Sequence, residues 1–202
     1  MNTGYLIPYN ENVAHSDHGD ALASGLTMPA ANSGLKTVER KQHRHLAHGA
    51  LWMDMTWITG RLALGGGIWN PQNMSEAART GVTHIIDMQI EFDDTQLAEP
   101  HGIAVLWNPT DDDFHPKPPE LFQRGVKFVA QALAADGSRV LIHCAAGVHR
   151  AAMMMLAVLC SQGWEPEAAM RTIVARRPAV DFADVYVESV MRFLQQQVKA
   201  GE

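Results

Sequence analysis

Residues 139–163 read Arg139-Val140-Leu141-Ile142-His143-Cys144-Ala145-Ala146-Gly147-Val148-His149-Arg150, then AAMMMLAVLCSQG. The opening residues are apolar enough for a central strand, and that strand runs straight into a cysteine. The segment after Arg150 is apolar all round, which predicts a core helix. A cysteine at a strand end and an arginine at a helix start can close a loop whose amides, from Ala145 to Arg150, all point inward. Such a ring of N–H groups, added to the positive end of the helix dipole, is a cradle for an anion. Gly147 supplies a turn that a side chain would block. Arg150 can grip two oxygens of a phosphate at once, and its charge is permanent. The same field favours thiolate over thiol at Cys144, so nucleophile and anion site coincide.

Upstream of this junction, Pro119 suits the first turn of a helix, and ELFQRGVKFVAQALAAD carries apolar residues at 121, 122, 126, 129 and 133, ending at Gly137. Before it lies NPTDDDFHPKPP, a Pro-and-Asp loop that regular structure cannot accommodate. Buried strands are expected over 82–88 and 103–107, and a strand over 58–64 that enters a turn at Gly65-Gly66-Gly67. Ser75 is expected to cap a short helix stopped by Gly81. Two amphipathic helices follow near 166–176 and 182–198. This order predicts an α/β layer fold, a central mostly parallel sheet of four to five strands flanked by helices, with the Cys144 junction at the sheet's C-terminal edge.

Composition narrows the function classes. In 202 residues, 16 Lys+Arg stand against 22 Asp+Glu, a formal charge of -6, so no long-range field favours nucleic acid or an anionic membrane. Ala151 to Cys160, the longest apolar run, is half of the roughly 20 residues that span a bilayer. No basic stretch with an apolar core opens the chain, so a cytoplasmic address is expected. Two cysteines, Cys144 and Cys160, are too few for a disulfide framework, and Cys160 is expected to be a buried core thiol that does not pair with Cys144. Residues 1–50 lack sustained periodicity and read as a partly flexible extension. Their histidines at 15, 18, 43, 45 and 48 complete no tetrahedral ligand set.

HCAAGVHR resembles the H-C-x5-R loop of the protein tyrosine and dual-specificity phosphatase superfamily. In local detail it is similar to the phosphatase-of-regenerating-liver group, which likewise carries H-C-x-A-G-x-x-R-A and a P-x-D-D segment, here Pro109-Thr110-Asp111-Asp112. The resemblance covers about residues 57 to 195 and implies a catalytic domain over 51–202 with the cysteine-phosphatase fold. It implies that Cys144 attacks phosphorus, that Ala145, Ala146, Gly147, Val148, His149 and Arg150 hold the transferring group, and that an upstream aspartate protonates the leaving oxygen. The family's spacing falls on Asp112, with Asp111 or Asp113 as the fallback. His143 is implied to hydrogen-bond the loop backbone and tune the thiolate. No cofactor or metal is implied, and the expected partner is a phosphoprotein, with specificity for phosphotyrosine and possibly phosphoserine or phosphothreonine left open.

Two departures from the family matter. Most active members carry Ser or Thr after the arginine, where a hydroxyl helps the thiolate leave; position 151 is alanine, which implies slow breakdown of a phosphoenzyme. The chain also carries no prenylation box, basic tail or resolving cysteine, since the corresponding strand reads Ile86-Asp87-Met88-Gln89. The loop contains no lysine, so an inositol phosphate is less expected than a phosphomonoester on protein. A weakly active phosphate-binding interaction module is the competing reading. Trp69, Trp107 and Phe114 are candidates to flank the entrance, and Met153 to Met155 are expected to pack in the core. Arg176-Arg177 suits the negative end of a helix dipole, and Gly65-Gly66-Gly67 is assigned a structural role only.

Overall fold

A computed structural model describes residues 53–200. The extension over 1–50 and its histidines lie outside the described residues. The elements run β1 (Met55–Trp57), β2 (Leu62–Gly65), α1 (Pro71–Arg79), β3 (His84–Asp87), α2 (Thr95–Ala98), a 3-10 turn (Glu99–His101), β4 (Ala104–Trp107), α3 (Pro119–Leu133), β5 (Val140–His143), α4 (Arg150–Ser161), α5 (Pro166–Arg176) and α6 (Asp184–Ala200). The sheet order is β1-β2-β5-β3-β4, with β1 antiparallel to β2 and every other pairing parallel.

Alternation along the strands divides the core in two. Leu62, Leu64, Ile86, Val140 and Ile142 face the layer that contains α3, α4 and α6. Ala63, Ile85 and Leu141 face the layer of Met74, Ala77 and Ala98 from α1 and α2. Helix α4 is buried from Arg150 to Leu159, because it lies between the sheet and α3, α5 and α6. Its three methionines pack in the core as expected.

Register decides where the site lies. Gly65 and Asp87 both pair with His143, and Asp87 pairs with Trp107, so the C-terminal ends of four strands form one row. The chain of β5 leaves that row into Cys144. Order reverses beside β5, since the crossover from β2 to β3 passes over it, and loops beyond such a point form a crevice.

Several local expectations are corrected. The expected strand over 58–64 is a hairpin: β1 ends before Ile58, and Ile58 and Thr59 donate to the Leu62 carbonyl in the turn. Helix α1 begins four residues before Ser75, because Asn70 caps it by accepting from the Asn73 amide and Pro71 fills the first position. The strand expected to be buried over 103–107 is the sheet's edge, and Trp107 is 45% exposed. In α3, Ala132 rather than Leu133 completes the buried stripe.

Because Ile142 is fully buried in the central strand, Ile142→Ala should lower unfolding free energy by about 2–5 kcal/mol in a denaturant titration. A loss below about 1 kcal/mol would contradict this placement of the core.

Candidate active site

The loop from Cys144 to Arg150 is shaped from outside. The carbonyl of Ala145 accepts from the Gly67 amide at 3.1 Å, and that of Val148 accepts from the Asp181 amide at 3.3 Å. Between them, the carbonyls of Ala146 and Gly147 accept from the Arg177 guanidinium at 3.4 and 3.0 Å. In a trans peptide the C=O and N–H point in opposite directions, so four outward carbonyls turn the amides of Ala146, Gly147, Val148 and His149 inward. Gly147 sits at φ 64°, and a Cβ there would lie 2.5 Å from the Gly65 carbonyl oxygen and 2.6 Å from Arg177 Nη2. The triple glycine is used for the same close approach: a Cβ at Gly65 would lie 2.7 Å from the Asp54 carbonyl oxygen.

Cys144 is buried and its amide donates to the Gly65 carbonyl at 3.4 Å. Arg150, 3% exposed, opens α4. Its Nη1 and Nη2 donate to both oxygens of Glu91 at 2.9 and 2.8 Å, and Nη1 also donates to the Thr110 carbonyl at 3.1 Å. Nε makes no hydrogen bond among the described residues and lies 3.9 Å from Asp112 Oδ2. Burial opposes the Arg150 charge, but the Glu91 hydrogen bonds, with the charges of Cys144, Glu91 and Asp112, outweigh it and raise its pKa. Arg150 in turn holds Glu91 below the ordinary carboxylate range.

The three candidate aspartates separate cleanly. Asp112 reaches the loop: Oδ2 lies 3.1 Å from His149 Nδ1, and Oδ1 accepts from the Tyr186 hydroxyl at 3.1 Å. Asp113 turns to Lys117 and the His115 amide, and the Lys117 hydrogen bond holds its carboxyl well below the usual range. Asp111 is exposed and makes no side-chain hydrogen bond among the described residues. The segment is moored to α6, where Tyr186 and Ser189 accept from the amides of Phe114 and Lys117. Phe114 takes φ 55°, uncommon for a bulky residue, with its ring stacked on Tyr186 and edge-on to His149. Burial, together with Asp112 and Asp113, pushes Tyr186 up to about 12, so its hydroxyl stays a donor.

His143 departs from expectation. Alternation puts it and Asp87 on the α2 side of the sheet, where Nε2 meets Asp94 Oδ2 at 3.0 Å and Asp87 Oδ1 at 3.8 Å. Its Nδ1 has no hydrogen-bond partner among the described residues, so no bond runs from this ring to the loop backbone. Asp87 accepts from the amides of Gln89 and Asp94, which folds the segment carrying Glu91 toward Arg150. The three side chains bring ligand-type atoms within 4.8 Å of one another, and the 3.0 Å contact is accounted for by a hydrogen bond.

Trp69 and Trp107 are both exposed; Trp69 leans on Phe92, and Trp107 donates to the Gln89 carbonyl. Cys160 is partly exposed rather than fully buried, and burial pushes its thiol up to about 11; both cysteines are free. Four residues of the site were not singled out from sequence for these roles: Glu91, Tyr186, Asp54 and Arg177. Arg177 does not merely face a helix end; it is buried and paired through two nitrogens with Asp54.

Burial pushes Asp87 up to about 7, with His143 opposing and Asp94 adding to the rise. The folded state therefore binds this proton more tightly than the unfolded chain. The stabilising contribution is fully present below the ordinary aspartate range and is lost as pH climbs to about 7. The melting temperature difference between about pH 5 and about pH 8 should accordingly be smaller in Asp87→Asn than in the wild type. Equal differences in the two proteins would argue against a protonated Asp87. Gly147→Ala should abolish orthovanadate binding, because the added methyl group meets backbone it cannot displace; unchanged affinity would contradict the loop geometry.

Comparison with known proteins agrees with this architecture. Residues 69–196 match the family model "Dual specificity phosphatase, catalytic domain". Over 118 residues the chain is 34% identical to protein phosphatase Slingshot homolog 3 of Rattus norvegicus, covering 57% of this chain and 17% of that protein. Protein phosphatase Slingshot of Drosophila melanogaster is 28% identical over the same length, covering 57% and 11%. The chain thus spans less than a fifth of the curated relatives it matches. Among solved structures, PTPMT1 in complex with PI(5)P has a TM-score of 0.65 at 21% identity, covering 73% of this chain and 99% of that one. Human DUSP28 gives 0.61 at 18% identity, covering 71% and 94%. Since the family match runs from the turn after β2 through most of α6 and takes in the whole Cys144 loop, the chain belongs to the dual specificity phosphatase catalytic-domain family.

Proposed function

We propose that this chain is a cysteine-dependent phosphatase that hydrolyses phosphomonoesters on protein, phosphotyrosine and also phosphoserine or phosphothreonine, in a cytoplasmic setting. The observation that carries this reading is the outward bonding of four successive loop carbonyls, Ala145 to Val148, which turns the amides of 146–149 inward between a buried cysteine and a buried arginine. Family membership and the relatives named protein phosphatase support it.

In the proposed mechanism the substrate's phosphoryl oxygens take the amides of 145–150 and the unpaired Nε edge of Arg150. Glu91 fixes the other edge of the guanidinium, so the arginine meets the anion preorganised. Cys144 Sγ forms a bond to phosphorus as the ester oxygen leaves, and Asp112 donates the proton that the leaving oxygen needs. The resulting phosphocysteine is hydrolysed when Asp112 takes a proton from an attacking water. Ala151 offers no hydroxyl to the departing thiolate, so this second step is slow. A missing hydrogen bond to a charged group is worth about 1.5–3 kcal/mol, or about 10 to 100-fold in rate.

Hydrolysis of an aryl phosphate tests the assignment. Cys144→Ser should abolish turnover, Asp112→Asn should lower kcat/KM by about 10²-fold and remove the basic limb of its pH profile, and orthovanadate should inhibit. Full activity in Cys144→Ser would overturn the reading. Rapid quench should show a stoichiometric burst of product, and Ala151→Ser should raise kcat by about 10-fold or more. No burst, with turnover unchanged by Ala151→Ser, would refute the slow second step. Ala151 also favours a second reading, a phosphate-binding interaction module; binding of a phosphopeptide with no radiolabelled phosphate trapped on Cys144 would select it.

A further inference from the structure

Arg177 follows the last residue of α5 and turns inward behind the Cys144 loop. Its Nε donates to the Gly147 carbonyl at 3.0 Å and its Nη2 to the Ala146 carbonyl at 3.4 Å. The far edge of the guanidinium is held by Asp54, with Nη1 to Oδ1 at 2.8 Å and Nη2 to Oδ2 at 2.6 Å, and Nη1 also donates to Thr56 Oγ1 at 3.4 Å. The Arg177 side chain is only 7% exposed. A Cβ on Gly147 would reach to 2.6 Å of Nη2, so the guanidinium occupies the space that glycine leaves.

The two peptide units it touches are the ones whose N–H groups belong to Gly147 and Val148. A cation at the carbonyl end of a peptide draws electron density toward the oxygen, which makes the N–H at the other end a stronger donor. It also fixes the plane, because turning either peptide over would bring an N–H against the guanidinium and carry a carbonyl into the anion's place. Asp54 prevents the guanidinium from tilting away, through the bidentate geometry that suits arginine and not lysine.

We propose that Arg177, held by Asp54, is a positioning residue for the anion cradle, and that it sets both the direction and the donor strength of the Gly147 and Val148 amides. The inference rests on the phosphatase reading and deepens it. Asp54 and Thr56 belong to the segment through β1, ahead of residue 69 where the family match begins, so the N-terminal hairpin contributes to the site.

Orthovanadate affinity, measured by calorimetry in Asp54→Asn and Arg177→Lys, tests the proposal without requiring turnover. Both variants should bind vanadate about tenfold more weakly or worse and raise KM for an aryl phosphate. In the double variant the losses should fall short of additive, because each substitution removes the same support. Melting temperatures run alongside. Vanadate affinity within about twofold of wild type in folded variants, with only the melting temperature lowered, would show a structural prop and overturn the proposal. Should Arg177→Lys fail to fold, Asp54→Asn decides alone, since its side chain is 63% exposed and its loss leaves the core packing intact. A wild type that does not bind vanadate at all would sink the phosphatase reading and this proposal together, a result distinct from a wild type that binds and variants that bind equally.

Discussion

Outward attachment of the carbonyls of Ala145 to Val148 is the constraint on which the site depends. Each is bonded to a group beyond the loop: the Gly67 amide, Arg177 twice, and the Asp181 amide. Left to itself a segment between strand and helix would satisfy its carbonyls and amides locally or with water. Here the carbonyls are committed, so the amides of Ala146, Gly147, Val148 and His149 turn to the opposite side of the loop. The proposed anion cradle is therefore shaped by donors that would never touch its ligand.

The rest of the fold serves this arrangement. Parallel pairing brings Gly65, His143 and Asp87 into one row, so the triple glycine lies close under the loop and Asp87 lies beside the strand that feeds it. From Asp87 the segment that carries Glu91 folds back onto Arg150, which also binds the Thr110 carbonyl. Arg150 thereby joins the loop, the Glu91 segment and the aspartate segment. Helix α6 fixes the last of these through Tyr186, whose hydroxyl accepts from Phe114 and donates to Asp112. Three separate loops thus meet around one guanidinium, and its Nε edge is the part left without a partner among the described residues.

Much of this was legible in the sequence because it is local. The strand into Cys144, Gly147 at a turn, Arg150 opening a helix and the apolar core helix all follow from neighbours within a few residues, and Asp112 is the aspartate that meets the loop. What escaped is non-local. Asp54 and Arg177 are 123 residues apart and meet only because β1 and the end of α5 converge behind the loop. Glu91 lies 59 residues from Arg150, and nothing in its immediate neighbours points to that partner. The hairpin of β1 and β2 was missed because a strand as short as Met55–Trp57 carries too little periodicity, and the edge position of β4 because an apolar run cannot declare which strands flank it. His143 was expected to bond the loop backbone, and its pairing with Asp94 depends on a carboxylate at the start of α2, 49 residues upstream.

A crystal structure of the Cys144→Ser variant with bound phosphate or tungstate tests the central claim most directly. The account predicts an oxyanion centred in the loop, its oxygens about 2.7–3.2 Å from the inward amides of 146–149 and from Arg150 Nε, with the Arg177 and Asp54 contacts retained. An anion bound elsewhere, or a loop whose amides face away from it while the carbonyls turn in, would contradict it.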